Sequence, residues 1–235
     1  MTRQSEISVM ALNGSPHLDG NTATLMRWVL EGCKAAGATV AWIHVVDHDI
    51  EYCQGCFGCL RTGACVLDDD VADLLSRLRA ADGIVVGSPV YAGHPTAQLK
   101  TLIDRITLLN LYTDLFDQQC SVGVATSGVA PMRGVAKELA TFFGRSVGVI
   151  GTKTATIANG YQPLTKVHPD RLPARAHKLG QRLVRRSRQQ ASRRAPTLTR
   201  LWIGLLRRTI LRPLVRGNAD QFAGILRIWE EKGFI

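Results

Sequence analysis

The sequence predicts an α/β fold: a doubly wound, five-stranded parallel sheet with helices on both faces, followed by a basic helical extension. Three observations carry that prediction. Apolar, β-branched runs alternate five times with stretches of helical periodicity. The first, third and fourth of those runs lead into loops rich in glycine and small polar residues, which a parallel sheet gathers at one edge. The charge is also split. Residues 171–216 hold 13 Arg and Lys178 with no acid, while the rest of the chain is mildly acidic.

The elements follow in order. Ile7–Asn13 reads as the first strand and Thr22–Ala36 as the first helix, ended by Gly37. Ala38–Val46 is β-branched and reads as the second strand. A cysteine-rich loop fills 47–66. Asp68–Asp70 caps a helix through Val71, Leu74, Leu75 and Leu78. Gly83–Gly87 is a short apolar strand, His94–Leu109 a helix and Ser121–Ala125 a strand. Pro131–Phe143 is a helix with Pro131 suited to its first position. Val147–Ile157 reads as the fifth strand. With 46% apolar residues in 235, the chain has material for a buried core. The expected division is 1–190 for the sheet domain and 191–235 for the extension. The polar start and the lack of a long apolar run predict a cytoplasmic protein.

The stretch Leu12–Thr24 joins the first strand to a helix N-terminus. Unpaired backbone N–H groups and the positive end of a helix dipole favour an anion there. Gly14 and Gly20 permit close backbone approach, and Ser15, Asn21, Thr22 and Thr24 can donate hydrogen bonds. An ordinary strand-to-helix turn is the alternative. Neither a Walker A motif nor the Gly-x-Gly-x-x-Gly fingerprint is present, so a mononucleotide suits the loop better than a dinucleotide. Two further loops, 87–95 and 125–134, fall on the same edge, and their prolines and Tyr91 suit a rigid wall for a flat ring.

Together, Asn13-Gly14-Ser15-Pro16…Gly20-Asn21-Thr22, Ser88-Pro89-Val90-Tyr91…Gln98-Leu99-Lys100…Ile103-Asp104-Arg105 and Thr126-Ser127-Gly128 resemble the NADPH-dependent FMN reductase family of the flavodoxin-like superfamily over roughly residues 6–160. The resemblance implies FMN, with its phosphate on Ser15, Asn21 and Thr22. Its ring would rest on Pro89, Val90, Tyr91, Ala92 and Gly93, with further contacts from Thr126, Ser127 and Gly128. His17 stands in the phosphate loop where the family often carries Arg. Lys100, Asp104 and Arg105 read as helix and dimer-interface groups. No catalytic side chain is expected, because hydride transfer to a flavin needs no protein acid or base.

Cys53, Cys56, Cys59 and Cys65 have the spacing C-x2-C-x2-C-x5-C, with Gly55, Gly58 and Gly63 letting the loop curl. Four thiolates so close suit a [4Fe–4S] cluster. A redox-active dithiol and inert thiols stay open as alternatives, and zinc fits less well. The spacing also resembles the compact motif of iron–sulfur flavoproteins, a branch of the same superfamily in which the cluster exchanges electrons with FMN. Cys33 and Cys120 read as core residues. The histidines show no metal spacing; His44 reads as structural, and His94 as a backbone cap of the helix that follows it or a donor to the flavin.

Pro169–Arg194 reads as the last helix of the sheet domain, with a break over 192–199. Leu198–Leu211 is an Arg-flanked apolar helix ended by Pro213, and Ala219–Gly233 is a final helix. Packing on the body or on a second subunit competes with an anionic membrane interface. Nucleic acid is disfavoured by the absence of interleaved aromatics or a binding motif. The expected activity is electron transfer from NAD(P)H through FMN to a flavin, a quinone or another small-molecule or protein acceptor, by a homo-oligomer. An iron–sulfur electron carrier and a non-catalytic partner-binding scaffold are the alternatives.

Overall fold

The computed structural model describes residues 6–128, 132–156, 160–161, 163–167, 170–191 and 207–234. Strand β1 (Ile7–Asn13) leads to helix α1 (Asn21–Ala35) and back to β2 (Ala38–His44). A single 3-10 turn, Val45–Asp47, follows, and the cysteine-rich loop holds a short helix, α2 (Gly58–Thr62). Then come α3 (Val71–Ala80), β3 (Gly83–Pro89), α4 (Ala97–Thr113), β4 (Cys120–Ser127), α5 (Arg133–Phe142) and β5 (Arg145–Lys153). The chain continues through the antiparallel pair β6 (Ala155–Thr156) and β7 (Gly160–Tyr161), α6 (Leu164–Val167), α7 (Arg171–Ala191), α8 (Arg212–Gly217) and α9 (Ala223–Glu231).

The five main strands pair in parallel in the order β2-β1-β3-β4-β5. That is the flavodoxin-like winding, whose direction reverses between β1 and β3. The strands divide their side chains between two cores with the period of two that the pleat imposes. Val9, Ala11, Val85, Val122 and Val124 pack with Leu25, Met26 and Val29 of α1 and Leu183 and Val184 of α7. Leu12, Ile84, Val86 and Ala125 pack with Leu74 of α3, Leu102 and Ile106 of α4 and Leu139 of α5. The second core also takes Ile225 and Trp229 of α9, so the final helix packs on the body of its own chain.

Several boundaries differ from the sequence reading. β2 stops at His44, because Val45–Asp47 tightens into a turn. α4 begins at Ala97 rather than His94: the backbone of His94 is used in a turn with Tyr91, and Thr96 caps the helix. Hence His94 does not cap it. Pro213 does not end the helical run: a π-helical turn, Arg207–Leu211, leads directly into α8, and Pro213 is the second residue of α8. β5 begins two residues early and ends at Lys153, with Ile157 outside the described residues. Pro131, the break at 192–199 and most of the expected helix Leu198–Leu211 (198–206) also lie outside them.

Helices α1 and α7 lie backbone to backbone. A Cβ on Gly180 would stand 1.9 Å from the Val29 carbonyl oxygen, and one on Gly32 would stand 2.0 Å from that of His177. Gly180→Ala gains ~1 kcal/mol of helix propensity, but it forces two backbones apart. Such overpacking costs about 1–3 kcal/mol. The variant is expected to unfold at lower urea concentration than the parent. An unchanged midpoint would show that the helices are not in this contact.

Candidate functional site

The loop Gly14–Gly20 is built by its own polar side chains. Asn13 is buried; its carbonyl oxygen accepts the Ser15 N–H at 3.1 Å, and its amide lies 3.1 Å from His44 Nδ1. His44 stacks on Trp42 and is structural, as its place in the strand implies. Ser15 Oγ accepts the His17 N–H at 3.1 Å, which leaves the Ser15 hydroxyl proton available to a ligand. Gly14 donates to the Gly87 carbonyl at 2.8 Å. Thr96 donates to the Gly14 carbonyl at 2.5 Å. A Cβ on Gly14 would stand 2.7 Å from Leu99, so glycine is needed for α4 to approach the loop.

Helix α1 starts on Gly20 with no side-chain cap and no acidic residue in its first turn. Its end therefore presents the helix dipole and early N–H groups to the loop. Thr22 is buried, and its hydroxyl pairs with that of Thr126 at 2.6 Å. One proton serves that bond, so one hydroxyl proton of the two is left to donate elsewhere. Asn21 is turned inward: its carbonyl oxygen accepts the Leu164 N–H at 2.8 Å and ties α6 to this edge. His17 is exposed and lines an open hollow with Pro16, Leu18, Asp19 and Gly20.

The other two loops join the same edge. Val90 is buried, and its N–H donates to the Thr126 carbonyl at 2.8 Å. Pro89 closes β3. Tyr91 and His94 exchange two backbone hydrogen bonds of 3.0 Å across Ala92-Gly93. Both turn residues have positive φ, 50° at Ala92 and 84° at Gly93. This is the primed turn of a two-residue hairpin, unfavourable for Ala. Tyr91 is 51% exposed at its corner, and Ser127 is buried at the end of β4 beside Gly128. Thus Thr22 and Val90 meet directly at Thr126, while Ser15 is bonded within its own loop to Asn13 and His17 and Asn21 is turned to Leu164. Val129 and Ala130 lie outside the described residues.

The cysteine loop follows β2 and so lies on the same edge. Gly55 and Gly63 have φ of 64° and 83°, and a Cβ on Gly58 would stand 2.7 Å from Val66, so all three glycines are required. Cys53 and Cys56 are exposed; Cys59 and Cys65 are half-buried. Burial and the neighbouring thiols of Cys65, Cys56 and Cys53 push the Cys59 thiol up from its usual value. Among the described residues no three metal-ligating side chains converge on one point. The donor set matches a thiolate-held cluster in kind and number, while its four sulfurs are not gathered on one point. Cys33 and Cys120 are buried core residues, and burial pushes Cys33 up to about 12.

Two residues the sequence reading undervalued hold this loop. Arg105, on α4, is buried and forms an ion pair with Asp69 through both Nη1 and Nη2. Its Nη1 also donates to the Glu51 carbonyl at 2.7 Å, and its Nε donates to Cys65 Sγ at 3.3 Å. Hence Arg105 is an internal anchor and not an interface group. Burial pushes the Asp69 carboxyl up, but hydrogen bonds from Arg105 and from the N–H groups of Glu51 and Val71 hold it below the usual carboxylate range. The signal was present: Arg105 falls among Leu102, Ile106 and Leu109, on the apolar face of its helix. Thr96 was legible too, as a Thr three residues before Leu99 at a helix start. Lys100 and Asp104 form an exposed i,i+4 pair on α4.

The sequence pattern described as NADPH-dependent FMN reductase matches residues 7–162. An iron-sulfur flavoprotein of Methanocaldococcus jannaschii is 40% identical over 99 residues, 42% of this chain and 51% of the relative. The chain thus spans about half the length of the curated relatives it first matches. An iron-sulfur flavoprotein of Archaeoglobus fulgidus is 27% identical over 229 residues, 97% of this chain and 100% of the relative. Among solved structures, a flavone reductase aligns with a TM-score of 0.57 at 18% identity over 81% of this chain and 66% of its own, a likeness of fold alone.

The strained turn generates a stability prediction. Ala92→Asn places the favoured Asn-Gly pair at the two positive-φ positions and is expected to stabilise the protein by about 1 kcal/mol. A thermal midpoint that stays the same or falls would mean that Ala92 is not in a left-handed conformation.

Proposed function

On the premise that the chain belongs to the NADPH-dependent FMN reductase family, we propose that it is an FMN-dependent oxidoreductase. It takes electrons from NAD(P)H and passes them to a flavin, a quinone or another acceptor, as a cytoplasmic homo-oligomer. The observation that carries this reading is the uncapped N-terminus of α1 facing the Ser15 loop, with buried hydroxyls on Ser15 and Thr22. Donors and a positive dipole end, with no carboxylate in the first turn, are what a phosphate monoester requires. The residues present therefore fit FMN.

In this reading FMN supplies the electron-accepting ring, and the protein supplies binding and orientation. Ser15 and the Thr22–Thr126 pair hold the phosphate. Pro89 to Gly93 form a wall whose backbone is fixed by the bond from Val90 to Thr126 and by the Tyr91–His94 turn. Exposed Tyr91 stands at the rim of that wall, where an incoming nicotinamide or acceptor has room to stack.

A second feature is favoured by the four-cysteine loop and by the relatives' designation as iron-sulfur flavoproteins. Cys53, Cys56, Cys59 and Cys65 would hold a [4Fe–4S] cluster, and the protein would then act as an electron carrier in which cluster and flavin exchange electrons. A thiolate-bound cluster supplies one-electron transfer. The convergence of the four sulfurs would accompany metal binding, since metal sites commonly close on their ion.

The test is an absorbance spectrum of protein purified without oxygen, followed by anaerobic addition of NADPH or NADH, with iron and sulfide assays. Flavin bands that bleach with either nucleotide are expected, with about four irons per chain if the cluster is present. A colourless protein that gains no flavin absorbance on mixing with FMN would overturn the FMN assignment and leave a partner-binding scaffold. Bands that neither nucleotide bleaches would remove NAD(P)H as donor. Thr22→Val keeps shape and loses the hydroxyl, so FMN should bind about tenfold or more weakly, the weight of one hydrogen bond to a charged group.

A further inference from the structure

Arg105 makes contacts that a stability role alone does not require. It reaches from the middle of α4 into the cysteine loop and meets that loop on both sides. Glu51, two residues before Cys53, offers its carbonyl to Nη1. Asp69, four residues after Cys65, takes both Nη1 and Nη2. The Asp69 carboxylate accepts the Glu51 N–H at 2.9 Å and the Val71 N–H at 3.1 Å, so the two flanks are sewn to each other through one ion pair. The guanidinium's remaining nitrogen, Nε, is directed at Cys65 Sγ. Of the loop's four cysteines, Cys65 is the one that Arg105 hydrogen-bonds.

The loop has a second support of a different kind. Gly224 of α9 lies so close to the loop that a Cβ there would stand 2.1 Å from the Gly63 N atom. Arg227 donates to the Thr62 carbonyl at 3.1 Å. Trp229 anchors α9 by donating to the Tyr112 carbonyl at 2.8 Å, and Lys232 caps the last carbonyls of α4. These contacts steady the loop without touching a sulfur.

We propose that Arg105 is a positioning residue for electron transfer at the cysteine loop: it fixes Cys65 as one corner of the thiolate set and places a charged N–H on its sulfur. This rests on the cluster reading above. An N–H donated to a cluster sulfur stabilises the more negative, reduced state and so raises the reduction potential. The guanidinium is suited to this because its planar fork holds a carboxylate and still presents Nε–H in a fixed direction. A lysine ammonium has three donors, but they turn on a single nitrogen and are not held in a planar fork.

The experiment compares three variants of the full chain, each purified anaerobically with flavin and iron content measured. Arg105→Lys keeps the charge. Arg105→Gln combined with Asp69→Asn removes both charges together, so no unpaired charge is buried and the local net charge is unchanged; it serves if Arg105→Lys does not fold. Arg227→Ala loosens the same loop from α9 and leaves the sulfur contact alone. A redox titration followed by the cluster's electron paramagnetic resonance signal should show a lower potential for either Arg105 variant and the parent value for Arg227→Ala. Equal shifts in all three, or none in the Arg105 variants, would overturn the proposal and leave Arg105 a purely structural group. If the parent holds no iron, the cluster reading fails separately. The placement of Cys65 is then read by iodoacetamide labelling and mass spectrometry. Cys65 should label about tenfold more slowly in the Arg105→Gln/Asp69→Asn variant, which loses the charged N–H that favours its reactive thiolate, with Cys53 and Cys56 unchanged. Equal labelling of Cys65 would overturn it.

Discussion

The hydrogen bond from the Gly14 N–H to the Gly87 carbonyl sits where the winding of the sheet reverses. β1 and β3 are neighbours in space, but the chain leaves them in opposite directions, so their loops part and open a crevice. Everything at the site edge depends on how that parting is held. Thr96 spans it from the α4 side by bonding the Gly14 carbonyl, while its own N–H is held by Ser88 Oγ at 3.0 Å. The Thr22–Thr126 hydroxyl pair spans it from the α1 side. A crevice fixed by three threonines and two glycines keeps its shape before any ligand arrives, and that lowers the ordering cost of binding.

The cysteine loop is the other feature at this edge, and it obeys a different constraint. A loop with two left-handed glycines and half its cysteines exposed has little apolar surface with which to fix itself. Its order comes from outside: from Arg105 on one side and from α9 on the other. That explains why the final helix enters the same core as the sheet. Trp229, Ile225 and Phe222 fill space beside Tyr112 of α4, and the edge contact of Phe222 with Tyr112 at 5.2 Å aligns the two helices. The C-terminal helix therefore supports the loop and belongs to the body.

The sequence shows best what periodicity controls. β1 was legible to the residue, because its apolar run ends in a polar loop, and α1 and α3 were legible to within one or two residues at each end; the expected ends of α7, Pro169 and Arg194, lie outside the described residues. Elements set by tertiary contact were less so. His94 looked like a helix start, and only the bridge to Tyr91 shows its backbone is used elsewhere. Pro213 looked like a stop, yet a proline is equally suited to a first turn. At the site, hydroxyls and glycines in order singled out the loop Gly14–Gly20, but their division of labour was hidden. Asn21 faces α6, and Ser15 supports His17, through bonds to residues that no local pattern names. Arg105 was visible as a charge on an apolar face; its partners, 36 and 40 positions away, were not.

A buried ion pair is an expensive way to hold a loop. Desolvating two charges costs several kcal/mol each, and well-packed apolar replacements of similar volume are often as stable or more so. If the Arg105–Asp69 pair served stability alone, Leu or Met at 105 would continue the face already made by Leu102, Ile106 and Leu109. What an apolar side chain cannot do is specify one arrangement. Arg105 accepts a single geometry in which Glu51, Asp69 and Cys65 are all satisfied, and any other conformation of the loop leaves a buried donor or a buried carboxylate without a partner. The penalty for such an orphan, about 1–3 kcal/mol and more when it is charged, excludes the alternatives. The pair thus contributes less to how stable the loop is than to which loop forms.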